Sequence, residues 1–546
     1  MGTRRRRLSR RGFLGAAGAA GATAAGLGIA TATAGTASAA GAGRAGSGID
    51  LALVNGRIHT LDERDTVVSQ VLIRDGRIAQ VGSIGGAGQR YEIVNLRGRT
   101  VVPGLIDNHV HFIRIGQAAG HDVRALETAF SIEAAQQVIA AKAATVAPGE
   151  FLTALAGIAP RQFGPEARFP NRAELDEAAP EHPVVIATTG SGQANTLGRD
   201  RLRALGVTVL DDGTVPNQLN AYTALAAFIT QETKRRELLS AADYALSLGL
   251  TTCMDDHGSA GGPPGTLDRV TGHDHYLDLV RAGTLHVRTR CRFPEQNDPA
   301  ILQEIVNQRW REFGSDLHQM SGIGEWAPRG AHYQASLRIM AERGFLYHQH
   351  LISTQEIQAH LDAIRQFVTE RPDLPSPAEL HWSLGHISGL TEAQVHEANE
   401  LGVGLAPHGW QYLTGNSATP NFRMILDLAE VPVGTGLDGA RVAPLNPWAG
   451  VYFMATGRHS GGQIAGDGSH VVSRTEAMRL YAGPQQGWFS KEEDRLGGIG
   501  VGRFADLAVL KADVFDTRAV PDAAVREMSS VLTIVGGRVV HDAGLV

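Results

Sequence analysis

The stretch of sequence that decides the fold reads Pro103-Gly104-Leu105-Ile106-Asp107-Asn108-His109-Val110-His111. It ends a short apolar run with two histidines that are one residue apart. Side chains two positions apart on a β-strand point to the same side, so both imidazoles can face one cation. Imidazole and carboxylate are the ligands that a borderline divalent cation such as Zn²⁺ prefers. The stretch therefore predicts a strand that ends at a metal site.

Seven more apolar runs follow this one, and helical patterns such as residues 354–368 and 392–401 lie between them. Short apolar runs that alternate with helices are typical of βα units and a parallel sheet. The eight predicted strands are residues 101–111, 250–255, 286–293, 321–326, 345–350, 380–387, 402–408 and 431–438. Eight such units predict an α/β fold of the (β/α)₈ TIM-barrel type.

The two ends of the chain have a different pattern, in which apolar and polar residues alternate and glycines mark the turns. This pattern indicates antiparallel strands and hairpins. We expect residues 50–100 and 495–546 to form one small β-sandwich domain. Residues 101–494 would then form the barrel, with residues 115–245 as a long insertion, or lid, after the first strand.

Polar side chains stand at the carboxyl ends of several predicted strands, where (β/α)₈ barrels place their catalytic groups. The fourth run ends near Glu325, the sixth includes His386 and the eighth ends at Asp438. The fifth run holds both His348 and His350. Each of these residues could instead have an ordinary structural role, as a core histidine, a buried ion-pair partner or a turn residue. Their shared placement favours a metal centre in which Asp438 binds the cation and accepts a proton from its water.

With these motifs the chain resembles the amidohydrolase superfamily, and within it the YtcJ-like branch that includes N-substituted formamide deformylases. Residues 103–111 are similar to its Pro-Gly-hydrophobic-hydrophobic-Asp-x-His-x-His motif, the most specific match. Residues 55–58 and 75–78 are similar to its N-terminal β-domain, and residues 497–510 to its Gly-Lys-x-Ala-Asp segment. The resemblance covers nearly all of the chain after residues 1–39.

The superfamily has a ligand rule: His-x-His on strand one, a bridging Lys or Glu on strand four, His on strands five and six, and Asp on strand eight. Carried onto this chain, the rule implies the ligands His109, His111, Glu325, His348, His386 and Asp438. His350 is an alternative to His348 on the same strand face, and we prefer His348 because the family pattern aligns there. The expected cofactor is one or two divalent ions, zinc in first place, and a bridging glutamate favours two.

The activity that the resemblance implies is hydrolysis of a non-peptide C–N bond, in an amide, formamide or cyclic amide of a small organic molecule. Asp438 would then be the catalytic base for a metal-activated water. Two other interpretations stay open. One is a deaminase, lactonase or isomerase on the same scaffold, since this fold supports several chemistries. The other is an exported protein that binds a metal or ligand without catalysis.

The chain also departs from the branch around the expected pocket. Residues 190–196 read Gly-Ser-Gly-Gln-Ala-Asn-Thr, without the histidine that is usual in this part of the lid. The segments after strands four and five differ as well, so the substrates of better-known members are not carried over. The candidates for substrate contact are His408, Arg441, Trp326 and Trp410.

The first residues resemble a twin-arginine export signal. Arg10 and Arg11 precede an apolar Ala/Gly run that ends in the A-x-A pattern of residues 37–39. We therefore expect a signal peptide over residues 1–39, the twin-arginine export machinery as a partner, and a secreted, periplasmic or cell-envelope protein.

Charge and cysteine content exclude some other classes of protein. Residues 1–39 hold six arginines and no acidic residue, so their removal takes the formal charge from −6 to −12. An acidic protein of this kind is not expected to bind nucleic acid or anionic membranes. No later apolar run reaches the ~20 residues that span a bilayer. Two cysteines, Cys253 and Cys291, are too few for a Cys-rich zinc site, and we expect them to be reduced. A homo-oligomer stays open.

Overall fold

The computed structural model describes residues 50–85, 90–116, 118–188, 190–256, 273–293, 299–308, 313–326, 332–415, 418–440 and 442–546. The predicted signal peptide, with Arg10 and Arg11, lies outside these ranges. Within them, no helix is long and apolar enough to cross a membrane.

The N-terminal part of the described chain is built of short strands joined by tight turns. These strands are β1 (Asp50–Val54), β2 (Arg57–His59), β3 (Val67–Val68), β4 (Val71–Arg74), β5 (Arg77–Val81), β6 (Tyr91–Asn95) and β7 (Thr100–Pro103). Four of them form a sheet in the order β5-β4-β1-β6. Apolar side chains on one face of this sheet, among them Leu53 and Ile73, are buried in a shared core.

The fold-deciding motif follows directly, as strand β8 (Leu105–Val110) and the short helix α1 (Phe112–Ile115). An inserted layer comes next, and its five strands form a separate sheet in the order β13-β12-β11-β10-β9. Its elements are β9 (His121–Asp122), α2 (Ile132–Ala143), β10 (Leu152–Ala154), α3 (Arg172–Ala178), β11 (Val184–Ala187), β12 (Gly192–Ala194), α4 (Thr196–Ala204), β13 (Thr214–Val215) and α5 (Gln218–Leu225). The layer has apolar clusters of its own.

Helix α6 (Gln231–Ser247) returns the chain to the barrel, because its Leu238, Ala241 and Ala245 are buried in the main core. The barrel then continues as alternating strands and helices. They are β14 (Leu250–Asp256), α7 (His273–Ala282), β15 (Arg288–Phe293), α8 (Pro299–Gln308), β16 (His318–Trp326), α9 (Tyr333–Arg343), β17 (Tyr347–Leu351), α10 (Thr354–Glu370), α11 (Pro377–Leu380), β18 (Ser383–His386), α12 (Glu392–Leu401) and β19 (Gly404–Pro407).

Helix ends in this part follow local sequence signals. Helix α10 starts with a capping box, in which the Ser353 hydroxyl accepts from the Glu356 N–H and the Glu356 carboxylate accepts from the Ser353 N–H. Helix α12 ends at Gly402, whose φ of 70° suits a residue without a Cβ. These signals lie close to the predicted limits of both helices.

The remaining elements complete the barrel and the β-domain. They are α13 (Gln411–Thr414), α14 (Phe422–Leu428), α15 (Pro447–Thr456), α16 (Arg474–Ala482), β20 (Leu507–Leu510), α17 (Asp522–Val525), β21 (Ser530–Val535) and β22 (Arg538–Asp542). The last three strands join the N-terminal ones in a six-stranded sheet of order β22-β21-β20-β7-β2-β3. Both ends of the chain therefore share one sheet.

Seven parallel strands form the barrel wall in the order β19-β18-β17-β16-β15-β14-β8. The wall closes through residues 431–439, which pair by isolated bridges rather than as the regular eighth strand that the sequence predicts. Pro432 has no N–H to donate to a ladder. At Gly436 a Cβ would stand 2.4 Å from Asp107 Oδ1, so the close approach to β8 requires glycine. The Asp438 N–H donates to the His109 carbonyl at 3.0 Å, which brings Asp438 beside the motif.

The barrel interior is unusual, because strand β15 fills it with charged side chains where barrels commonly pack branched aliphatic ones. Arg288, Arg290 and Arg292 alternate along the strand and are all buried. A buried charge without a partner is costly, and each guanidinium pairs with a carboxylate: Asp506, Glu492 and Asp256, respectively. The uppermost pair, Arg292–Asp256, reaches the carboxyl ends of the strands.

These features confirm the expected fold class: a (β/α)₈ barrel, a small β-sandwich domain formed from both termini, and a long insertion after strand one. Cys253 and Cys291 lie on the adjacent strands β14 and β15, where both are buried and free.

Candidate metal centre

The two motif histidines meet Asp438 at the rim of the barrel. His111 Nε2 lies 3.1 Å from Asp438 Oδ1, and His109 Nε2 lies 3.7 Å from the same oxygen. The three residues offer ligand atoms close enough to hold one metal ion. Asp438 has a φ of 63°, a conformation that residues with a Cβ seldom adopt, and such strain is common at functional sites. We call this group the first ligand group.

Glu325, His350 and His386 form a second ligand group beside the first. Glu325 Oε1 contacts His350 Nδ1 and lies 2.8 Å from His386 Nε2. Its other oxygen, Oε2, lies 3.6 Å from His111 Nε2. Oε1 also lies 3.8 Å from His109 Nε2, so the Glu325 carboxylate stands between the two groups. If each group held a cation, Glu325 could be a ligand to both.

Asp256 orients both histidines of the motif. Its carboxylate lies 3.0 Å from His109 Nδ1, and its backbone carbonyl lies 2.5 Å from His111 Nδ1. A carbonyl oxygen can only accept, so the proton of His111 is on Nδ1 and its Nε2 lone pair faces the first ligand group. A carboxylate or carbonyl behind a ligating histidine fixes its tautomer in this way. Arg292 donates to Asp256 Oδ2 at 2.7 Å and holds that carboxylate in place.

His408, at the end of strand seven, has a similar position behind His386. The backbone N–H of His386 donates to His408 Nδ1 at 3.1 Å, so His408 carries its proton on Nε2. His386 Nδ1 lies 3.2 Å from the same His408 atom, which leaves His386 Nε2 free towards Glu325. His408 is completely buried, and its ring packs on His109 at 4.3 Å between centroids. This geometry favours support of the ligands over the substrate contact that the sequence suggested.

Burial keeps the imidazoles in the state that a metal requires. It lowers the pKa of His109 to about 4, although the nearby Asp256 carboxylate partly opposes the shift. Burial also lowers the pKa of His350 to about 3 and lowers that of His386. Neutral imidazole is the ligating form. Within the described chain, His109 Nε2 and Asp438 Oδ1 make no hydrogen bond, so a cation would satisfy two buried lone pairs. The residues therefore fit a metal centre.

The structure separates the two histidines of strand five. His350 belongs to the second ligand group, whereas His348 lies deeper in the barrel, with its Nδ1 2.9 Å from Ser383 Oγ. His348 Nε2 is near His109 and Asp256 instead of Glu325. Both histidines lie on the same face of the strand, as predicted, but they differ by two positions in depth. Both histidines therefore belong to groups that could hold an ion. Because His350 contacts Glu325, we take His350, the alternative that the sequence left open, as the ligand to test against the preferred His348.

The structure describes only some of the other residues that were predicted to contact substrate. Trp410 is partly buried against the main core, and its indole N–H has no partner among the described residues. Trp326 ends β16, but its side chain lies outside what the structure describes, and so does all of Arg441. In the part of the lid that lacks the usual histidine, Asn195 caps α4 and is completely buried.

Asp256 and Arg292 are the functional residues that sequence reasoning missed. The predicted second strand ended at Asp255, one residue before the carboxylate that faces the histidines. The Asp255-Asp256 pair at a strand end was the available signal. The alternating arginines of the third strand were a second signal, because inward charges in a barrel need acidic partners.

Comparison with known proteins identifies the family to which this arrangement belongs. The amidohydrolase family, described as Amidohydro_3, matches residues 92–541. The chain belongs to the amidohydrolase family. Its membership of the superfamily, expected from the motifs, is thereby confirmed. The expected enzyme class, a metal-dependent hydrolase that acts on C–N bonds other than peptide bonds, is confirmed as well.

Several relatives resemble this amidohydrolase over most of their length. It is 25% identical to the N-substituted formamide deformylase of Arthrobacter pascens, over 89% of this chain and 97% of that protein. An uncharacterized metal-dependent hydrolase from Pyrococcus horikoshii superposes with a TM-score of 0.56 at 18% identity, covering 86% of this chain and 98% of that one. A variant of atrazine chlorohydrolase from Arthrobacter aurescens, complexed with zinc and atraton, gives a TM-score of 0.52 at 15% identity, covering 90% and 95%. The two solved structures show that the fold is shared.

The choice between the strand-five histidines can be tested by substitution. We expect His350→Gln to lower the metal content of the purified protein by about one equivalent, because it removes a donor from the second ligand group. His348→Gln, the matched control on the same strand, should keep the wild-type metal content. Elemental analysis of the two variants is the measurement. The reverse pattern would make His348 the ligand.

The role of Asp256 predicts a change in affinity. Asp256→Asn should weaken zinc binding by about 10- to 100-fold, because the histidines lose the carboxylate that fixes their tautomer. Competition with a chromophoric chelator measures this affinity. Asp362→Asn, an exposed position on α10, is the control. An unchanged affinity in a folded Asp256→Asn protein would exclude the positioning role.

Proposed function

We propose that this amidohydrolase binds two divalent cations, zinc in first place, and hydrolyses a non-peptide C–N bond of a small molecule, with an N-substituted formamide as the best-supported substrate type. The observation that carries the proposal is the Glu325 carboxylate, which stands between a buried and a partly buried group of ligands. The N-substituted formamide deformylase of Arthrobacter pascens matches this chain over 97% of its own length. This similarity supports a C–N bond as the bond that is cleaved.

The two ligand groups would hold one cation each, with Glu325 shared between them. When bound, the cations would lower the pKa of the nucleophilic water towards neutrality and polarise the scissile carbonyl. Asp256, Arg292 and His408 keep the ligating histidines in one tautomer, so no side chain has to reorganise during the reaction.

Asp438 is the group that moves the proton in this mechanism. An aspartate carboxyl is ordinarily ionised at neutral pH, and as a carboxylate Asp438 can both bind a cation and accept a proton. It accepts a proton from the attacking water and then donates it to the departing nitrogen, which leaves as an amine. This is general base and then general acid catalysis by one residue. Formate and an amine are the products expected from a formamide.

The proposal predicts different effects for two substitutions at the first ligand group. Asp438→Asn should lower kcat by about 10²- to 10⁴-fold, the usual contribution of a general base, and keep most of the metal. His109→Ala should lower the metal content itself. The assay measures formate released from N-(2-phenylethyl)formamide, together with elemental analysis. A chelator should abolish the activity, and added zinc should restore it.

The outcomes of this assay separate the rival functions. Release of ammonia from an amino-substituted ring, with no hydrolysis of amides, would identify a deaminase. A folded protein that neither contains metal nor takes it up would overturn the hydrolase mechanism and favour a binding protein.

We also propose export by the twin-arginine route, on the basis of Arg10, Arg11 and the A-x-A pattern at residues 37–39. In a bacterial host with this route, mass spectrometry of the exported protein should find an N-terminus at residue 40. The double variant Arg10→Lys/Arg11→Lys should stay unprocessed inside the cell. Normal processing of that variant would point to another export route.

A further inference from the structure

Arg161 is a partly buried cation that has no counterion in the part of the chain that the structure describes. It lies in a short helical turn, Pro160–Gln162, between β10 and α3 of the inserted layer. Among the described residues no carboxylate is within ion-pair distance of its guanidinium, and it makes no hydrogen bond to them. Other arginines of the layer do have acidic partners: Arg124 pairs with Asp122 and Arg168 with Glu174.

The backbone that carries Arg161 is held firmly. The side chain of the next residue, Gln162, accepts a hydrogen bond from the Ala159 N–H at 3.0 Å. The same side chain donates to the carbonyls of Leu126 and Ala129, at 2.9 and 3.1 Å. Gln162 and Ala159 are both buried. Arg161 therefore extends from a fixed base, which lowers the entropy cost of binding a ligand.

Glycines from two other loops lie against Arg161, one beside its guanidinium and one beside its backbone. At Gly415, which has a φ of 63°, a Cβ would stand 1.8 Å from Arg161 Nη1, so any side chain there would displace the guanidinium. Gly461 approaches the backbone of Arg161, with its would-be Cβ 2.9 Å from the Arg161 carbonyl oxygen. The Ser460 N–H donates to the Tyr412 carbonyl at 2.7 Å and ties these two loops together. Three separate segments thus build one seat for this side chain.

A second donor lies beside Arg161. The Gly461 N–H donates to His459 Nδ1 at 3.0 Å, so the proton of His459 is on Nε2. The His459 ring also borders the would-be Cβ of Gly415, with its Cδ2 at 3.1 Å. Burial, with a further contribution from Arg161, lowers the pKa of His459. The seat therefore combines one permanent positive charge with one neutral N–H donor.

The seat belongs to the same rim as the metal centre. Gly415 is the C-terminal cap of α13, the short helix that follows His408. The Gln411 side chain of that helix donates to Ser388 Oγ at 2.7 Å, two residues after the ligand His386. Loops that follow barrel strands form the mouth of the active site. The loop that ends at Gly415 thus connects the seat of Arg161 to the segments that carry His386 and His408.

We propose that Arg161 binds a carboxylate of the substrate, so that the preferred substrates are N-acyl or N-formyl compounds with an acidic group on the nitrogen substituent. This inference rests on the proposed function. The planar guanidinium matches the two oxygens of a carboxylate, and one unpaired cation suits a single negative charge better than a phosphate dianion.

The test compares two substrates that differ only in the carboxylate: N-formylphenylalanine and N-(2-phenylethyl)formamide. The wild-type zinc enzyme should have the higher kcat/KM for N-formylphenylalanine. In Arg161→Gln the ratio of the two kcat/KM values should fall by about 10- to 100-fold, the range expected for a lost charge-assisted contact. The ratio in Arg161→Lys should lie between those of the wild type and Arg161→Gln, because lysine keeps the charge and lacks the planar guanidinium.

A matched control is Arg201→Gln, which removes an exposed cation from α4 of the same layer and should keep the wild-type ratio. An unchanged ratio in Arg161→Gln, or an equal fall in Arg201→Gln, would overturn the assignment. The unfolding midpoints of the variants show whether they are folded.

A binding measurement separates this inference from the proposed function. If the wild-type enzyme hydrolyses neither formamide, the proposed function fails, and calorimetry with 3-phenylpropanoate then decides the role of Arg161. Affinity about 10- to 100-fold weaker in Arg161→Gln than in the wild type would support a carboxylate site. Equal affinity in the two proteins would overturn it.

Discussion

Neutral imidazoles and two carboxylates share a small buried volume at the barrel rim, and this is the constraint on which the rest of the structure depends. Glu325 and Asp438 bring negative charge close to His109, His111, His350 and His386. Burial disfavours protonation of His109, His350 and His386, so these imidazoles do not supply a compensating charge at neutral pH. Divalent cations would satisfy the inward lone pairs and balance the carboxylates at once.

The surrounding structure can be understood as support for these ligands. Arg292 fixes Asp256, and Asp256 fixes both motif histidines through its carboxylate and its carbonyl. His408 does the same for His386 from strand seven. The glycine at position 436 lets the closing segment approach β8, which places Asp438 beside His109. Loss of any of these contacts would disturb the ligand geometry without removing a ligand.

The sequence predicted the barrel well because its strands and helices have strong local signals, and the His-x-His motif located the metal site. It could not separate His348 from His350, since both lie on one strand face and only their depth in the barrel differs. Asp256 was missed because its partner histidines are about 145 positions away in sequence. The irregular closing segment and the seat of Arg161 both depend on glycines. The need for these glycines is visible only in the fold, where residues distant in sequence come too close to leave room for a Cβ. Local sequence pattern therefore predicts the strands and helices, whereas contacts between residues distant in sequence decide how the side chains of the site are oriented.

The most direct test of the account is a crystal structure of the zinc-loaded enzyme with anomalous diffraction recorded at the zinc edge. We expect two anomalous peaks, one on each side of the Glu325 carboxylate. The first should be ligated by His109, His111 and Asp438, and the second by His350 and His386. A single peak held by His348 and Asp256, or no peak at the rim, would contradict it.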